Sequence, residues 1–212
     1  MDVLTFKLSK NYTDSVVSMP VTNILENGNF DDVTGWKESK STRLVSDNIL
    51  TFTASEKGGY VAHDLPALTL GHVYYAGLFF KTTSGAGVTM SVVQGLTPWT
   101  TLMTKIYTAT GGYARISNIG TVVDNSTTYG IRILDSRNSD WDAIEIKKAV
   151  VIDLTATFGA GNEPTSTEMD ALLAYFPSSW FDGTRNISPA LAVLCLNKLR
   201  NLETLVTALG GS

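Results

Sequence analysis

Catalysis needs a nucleophile, a base or a metal cluster at workable spacing, and this chain offers few residues of those kinds. Its two histidines, His63 and His72, fall near expected strand edges with no Cys or Glu at ligand spacing, so both read as structural or solvent-facing. The one cysteine, Cys195, lies on an apolar seam and reads as a small packed side chain. Gly159-Ala160-Gly161 lacks the lysine of a phosphate loop. Two carboxylates can hydrolyse a glycoside, but Asp31-Asp32, Asp135, Asp140 and Asp142 all stand in turn-rich stretches, where Asp serves the backbone. The reading is therefore non-enzymatic. Sugar binding remains as the chemical possibility, because the apolar face of a sugar stacks on an aromatic ring. Trp99, in the Thr97-Pro98-Trp99 loop, is the candidate platform, with Tyr113 and Tyr60 behind it. Packing of Trp99 on a neighbouring strand or in a subunit contact is the alternative.

The elements that would position these residues are mostly strands. From residue 21 onward, Leu50/Phe52/Ala54 alternate with Thr51/Thr53, and Tyr74/Ala76/Leu78/Phe80 alternate with Tyr75/Gly77/Phe79, the latter apolar on both sides and so expected away from a sheet edge. Val88–Val93, Thr100–Thr108, Tyr113–Ile119, Tyr129–Leu134 and Ile144–Ile152 complete the set, separated by Gly- and Asn-rich turns. Residues 21–158 are expected to form an antiparallel jelly-roll β-sandwich.

Helices are expected at both ends. Residues 1–20 read as an arm, with Leu4, Leu8, Tyr12 and Val16 about one turn apart. Residues 159–187 read as a connector: Pro164 marks a boundary, Thr165 and Glu168 fit a capping box, and Met169, Leu172, Leu173 and Phe176 give a short helix one apolar face. This helix is expected to cap one end of the sandwich. In residues 188–212, Ser188-Pro189 starts a helix whose Ala192, Cys195, Leu199, Leu202, Val206 and Leu209 follow heptad spacing, widened by Leu191, Leu194 and Leu205. Such a helix either folds back on the sandwich or joins copies of the chain as a coiled coil, and a homotrimer is the expectation.

Composition sets outer limits. A net charge of -4 and a pI near 5.1 argue against a nucleic-acid surface. No run approaches the ~18 apolar residues of a membrane helix, and the N-terminus has no basic start with an apolar core, so no signal peptide or membrane partner is expected. One cysteine permits no intrachain disulfide, which is compatible with folding in a reducing cytosol.

Three stretches resemble known families. Residues 153–165, DLTATFGAGNEPT, followed by a short helix and Trp180-Phe181-Asp182-Gly183, resemble the end of a module found in bacteriophage tail and minor structural proteins, above all in phages and prophages of Gram-positive bacteria. LSKNYTDSVV resembles a helical connector near the start of phage fibre proteins, with Asn11 interrupting its core. Asn23 to Asp31, with Gly35-Trp36, resembles the opening of jelly rolls typified by carbohydrate-binding modules, in which Phe30 plugs the core and Trp36 anchors the returning chain; Trp141 and Trp180 also match core positions.

These resemblances imply a virion component, made in the host cytoplasm: a head fibre or decoration, collar, or tail or baseplate appendage. Its partners would be other copies, capsid, neck or tail proteins, and a host-surface glycan. Short and opening on Met1, it reads as a complete small component. The alternative is an adhesin for cell-wall glycan, alone or with a partner enzyme. The carbohydrate-binding modules often hold a structural calcium, and Asp31 matches its first acid. Lys147 and Lys148 stand where the second is common, so no cofactor is expected.

Overall fold

Ten strands form two five-stranded antiparallel sheets in the computed structural model, which describes residues 19–82, 87–95, 100–108, 111–126, 128–137 and 141–187. In chain order the elements are β1 (Met19–Thr22), β2 (Trp36–Ser39), β3 (Ser41–Ser46), β4 (Ile49–Ala54), β5 (Tyr60–Leu65), β6 (Val73–Thr82), β7 (Gly87–Gln94), β8 (Thr100–Thr108), β9 (Ala114–Thr121), β10 (Tyr129–Asp135) and β11 (Ile144–Asp153). Helices α1 (Leu154–Phe158) and α2 (Ser166–Leu173), a 3-10 turn (Pro177–Ser179) and β12 (Thr184–Ile187) follow. Sheet one runs β2-β5-β10-β7-β8 and sheet two runs β3-β4-β11-β6-β9. From β4 onward the chain crosses repeatedly between them, and the fold is the expected jelly-roll sandwich.

Alternation explains which side chains fill the space between the sheets. In β10, Tyr129, Ile131, Ile133 and Asp135 are buried while the residues between them are half-buried. Phe52, Leu78, Phe80, Met90, Ile131, Ile133, Ile144 and Ile146 belong to the same core, as do Phe30 and Trp36. Burial of each such side chain contributes about 1.5–3 kcal/mol. Trp36 stacks on Phe30 at 4.9 Å and donates its indole N–H to the Asn27 carbonyl. Asn27, at φ 49°, makes the tight turn with Gly28. A Cβ on Gly28 would fall 2.2 Å from the Ala149 carbonyl oxygen, so that loop can close on β11 only through glycine.

Strand β11 changes phase in mid-course. Ile144 and Ile146 face the core, then the pairing with β6 slips between Lys147 and Val150, with Lys148 at φ 56°. Beyond this bulge Ala149 and Val151 face the core, while Val150 and Ile152 face the other way into a second cluster. Without the bulge Lys148 would point between the sheets.

That second cluster is built by the rest of the chain. Asp153 caps α1, its carboxylate accepting from the Ala156 N–H. Thr165 and Glu168 form the expected capping box of α2. Met169, Leu172, Leu173 and Phe181 then bury themselves against Tyr75, Val150 and Ile152, with Phe176 and Trp180 packed alongside. The helix thus covers the outer face of sheet two, and not an end of the sandwich: the β-branched run at 150–152 and Tyr75 supply an apolar outer face that a solvent-facing sheet would lack.

Two strands cross the expected divisions. Strand β1 spans the boundary placed at residue 20, and β12 ends a stretch read as helix and connector. They pair antiparallel as a separate ribbon, Met19 opposite Ile187 and Thr22 opposite Thr184. Val21 and Ile187 lie in the second cluster. The expected helices over residues 2–17 and 188–212 lie outside the described residues. Among those described, no helix is long and apolar enough to cross a membrane.

Candidate functional site

The outer face of sheet one carries the polar and aromatic side chains best placed to meet a ligand. In β5 the alternation turns Val61, His63 and Leu65 inward and Tyr60, Ala62 and Asp64 outward. In β10 it turns Arg132 to the same side, opposite Ala62 on one flank and Ser91 on the other. The Arg132 guanidinium lies 5.0 Å from the centre of the Tyr60 ring, a cation–π contact that fixes the phenol's orientation. Burial pulls the Arg132 pKa down from the usual arginine value.

Strand β2 adds Lys37, which reaches Asp64 at 2.5 Å in an exposed ion pair. From the opposite side, Ser91 and Thr104 bring their hydroxyls within 3.1 Å of each other. An aromatic wall, a guanidinium, a carboxylate and paired hydroxyls are the groups that hold sugar hydroxyls while one apolar flank is shielded. The contacts of the helical extension lie instead on sheet two and β1.

Tyr113 lies on the opposite side of the molecule, and this corrects its grouping with Tyr60. Its hydroxyl donates to Glu145 at 2.6 Å, and the Lys147 ammonium sits 3.4 Å from its ring centre. Lys81 also reaches Glu145, at 3.0 Å. Burial, and then the bond to Glu145, push the Tyr113 pKa up, while the Tyr113 hydroxyl and Lys81 hold the Glu145 carboxyl below its ordinary value. Tyr113 is thus tied into a polar cluster with Glu145, Lys81 and Lys147 on sheet two, away from Tyr60. Trp99 lies outside the described residues, as do Ala192, Cys195, Leu199, Leu202, Val206 and Leu209.

Both histidines make contacts within the fold. His63 is buried edge-on against Trp36, its Nδ1 2.6 Å from the Asp64 carbonyl oxygen. His72 pairs through Nδ1 with the Asp153 carboxylate at 2.8 Å. Asp135, expected in a turn, is instead the buried last residue of β10 and is tied to Arg137, whose guanidinium also reaches Asp142. The bond to Asp135 raises the Arg137 pKa, outweighing burial.

Asp31 is held by its neighbours: its carboxylate Oδ1 accepts from the Asn29 and Asn48 amide groups, at 3.1 and 2.7 Å. Among the described residues no cluster of three acids, histidines or cysteines could hold a metal ion.

Residue reading missed Arg132 altogether. The signal was its place in the alternating run Tyr129 to Leu134: a long cation between Ile131 and Ile133, which face the core.

No protein-family model and no curated protein matches the chain. Its fold is similar to that of a CBM4 carbohydrate-binding module at 13% identity and TM-score 0.52, over 57% of this chain and 96% of that one. It is also similar to an arabinose-bound α-L-arabinofuranosidase, MgGH51, at 13% identity and TM-score 0.53, over 76% of this chain and 31% of that one. A third likeness is to the CBM22-1–GH10 modules of Clostridium thermocellum xylanase 10B complexed with xylohexaose, at 13% identity and TM-score 0.51, over 76% and 33%. The chain spans about a third of the length of those last two proteins. At such identities the likeness establishes the fold alone, a jelly-roll β-sandwich.

Proposed function

We propose that the chain is a non-catalytic glycan-binding jelly roll, displayed by a bacteriophage virion component and used for attachment to the host surface. The Tyr60–Arg132 stack on the outer face of sheet one carries the glycan reading. It is flanked by hydrogen-bonding groups, while the helical extension packs on the far side of the sandwich. The similarity in fold to a carbohydrate-binding module supports the same reading.

The virion setting is supported by the wording of residues 153–165, which builds a compact joint. Glu163 accepts from the Thr155 hydroxyl at 2.7 Å, and the two helix caps follow from Asp153 and Thr165. In this reading the protein assembles as a homotrimer through the heptad positions of residues 188–212 and meets capsid, neck or tail proteins.

A glycan array and a pull-down on Gram-positive cell walls test the ligand. Binding that falls at least tenfold in Tyr60→Ala and in Arg132→Gln supports the site; binding unchanged in both, or no glycan bound at all, overturns it. Antibody labelling of purified particles tests the setting, and a protein absent from the particle contradicts it.

A further inference from the structure

Strand β8 forms one edge of sheet one, and among the described residues no strand pairs with its far side. Its first half is covered by sheet two. The Asn118 amide of β9 donates to the Thr104 carbonyl at 2.8 Å, and a Cβ on Gly120 would fall 2.7 Å from the Leu102 carbonyl oxygen. Beyond Thr104 the cover ends. Lys105, Ile106, Tyr107 and Thr108 are all exposed, Ile106 at 65% and Tyr107 at 40%.

Thr104 also shows which backbone groups face outward. Its carbonyl points away from β7, and backbone groups alternate sides along a strand, so those of Ile106 and Thr108 point the same way. Edges that stay single in solution are short, charged, bulged or broken by proline. The other edge of sheet one follows that rule: β2 is four residues long and carries Lys37 and Glu38. The open end of β8 instead sets one lysine beside two adjacent apolar side chains.

One antiparallel register suits this stretch when it meets itself. Lys105 opposite Lys105 of a second copy brings like charges together, which is unfavourable. A step along, Ile106 faces Ile106 and each Lys105 faces a Tyr107. The outward N–H and C=O groups of the two Ile106 residues then bond to each other, the isoleucines cover one another, and each ammonium meets a ring. A further step sets Ile106 against Thr108 and takes the ring away from the lysine.

We propose that residues 104–108 of β8 pair antiparallel with the same residues of a second copy, centred on Ile106, joining two five-stranded sheets into one. The contact uses none of residues 188–212, so it is separate from the heptad seam and links one assembly to the next. It is small against the roughly 800 Å² per partner of a standard interface, and so it forms where copies are crowded together. The two-fold axis between antiparallel strands turns the outer face of sheet one to the same side in both copies. The two Arg132 residues then stand five strand spacings apart across the joint sheet, roughly 24 Å. Bivalent attachment to a wall follows if that face binds glycan as proposed above; the contact itself does not rest on that reading.

Disulfide trapping tests the register. Directly opposite residues lie about 5.5 Å apart between Cα atoms, within disulfide reach, whereas Lys105 and its own copy stand about 8 Å apart, beyond it. The full chain carrying Ile106→Cys with Cys195→Ala, oxidised at high concentration, is expected to run mostly as a disulfide-linked dimer in denaturing, non-reducing conditions. Lys105→Cys in the same background is expected to give less than a tenth of that dimer. Lys105→Cys combined with Tyr107→Cys is expected to restore it. The proposal is overturned if Ile106→Cys stays at the mass of one chain, if Lys105→Cys alone crosslinks as fully, or if the double variant fails to crosslink. None of these readouts depends on glycan binding, so the two proposals fail separately.

Discussion

The Tyr75 hydroxyl donates to the Asp170 carboxylate at 2.5 Å, across 95 residues of sequence, and fastens α2 to sheet two. Arg115 reaches both partners, 2.6 Å from the Tyr75 oxygen and 2.6 Å from Asp170 Oδ1, and Ser117 donates to Asp170 Oδ2 at 2.6 Å. Gly77 leaves room for this group: a Cβ there would fall 2.5 Å from the Tyr75 oxygen. Burial pushes the Tyr75 pKa up, so the phenol stays neutral and donates.

Asp170→Ala leaves Arg115, with only 14% of its side chain exposed, without its carboxylate. Loss of charge-assisted bonds of this kind costs about 2–3 kcal/mol, which for a domain of this size lowers Tm by roughly 4–12 °C. Differential scanning calorimetry is the measurement, and Tyr75→Phe is expected to cost about 1 kcal/mol.

Asn23 is a second fastening, buried at 4% exposure. Its Oδ1 accepts from the Leu25 and Val151 N–H groups, and its amide donates to the carbonyls of Phe181 and Ala149. Asn23→Leu strands those backbone groups and is expected to cost about 2–4 kcal/mol in urea denaturation. Hydrogen exchange is expected to accelerate around Val151 and across 181–187 first.

Glu145 gives the fold a pH-dependent contribution. Its folded pKa lies below the ordinary value of 4.5, so the stability it adds is present above that pH and lost as pH falls through the folded pKa. Glu145→Gln is therefore expected to lower the urea midpoint at neutral pH, the gap to the wild type closing as the pH falls below 4.5 through the folded pKa. A gap that stays constant across that range contradicts the linkage.

Chelation provides a further check. With Asp31 held by two amide groups, EDTA is expected to leave Tm unchanged. A fall in Tm reversed by added calcium contradicts that reading, because a ligand bound to the folded state stabilises it by mass action.

Periodicity revealed most of the long strands: β4, β6, β7, β10 and β11 are where the residue pattern puts them, as are the edge strands β8 and β9, whereas the interior strand β5 did not stand out. The edge strands β2 and β3 escaped it. Trp36–Ser39 has one apolar residue, and Arg43 takes an inward register position opposite Phe52, where it pairs with Glu38. The β1–β12 ribbon was invisible for another reason: its four-residue strands are joined by contacts such as Thr22–Thr184, 162 residues apart. The break in alternation at Lys147-Lys148 did record the bulge, and the apolar run after it recorded a strand covered on both faces. For the site, residue type picked out Tyr60 and Tyr113, but which sheet each strand joins is set by topology, and that puts them on opposite sides.

The two tyrosines therefore test the account most directly. Isothermal titration with a glycan selected on the array is expected to show Tyr60→Ala weakened at least tenfold and Tyr113→Ala unchanged in affinity. Affinity lost in Tyr113→Ala and kept in Tyr60→Ala would contradict the assignment of the ligand to the outer face of sheet one.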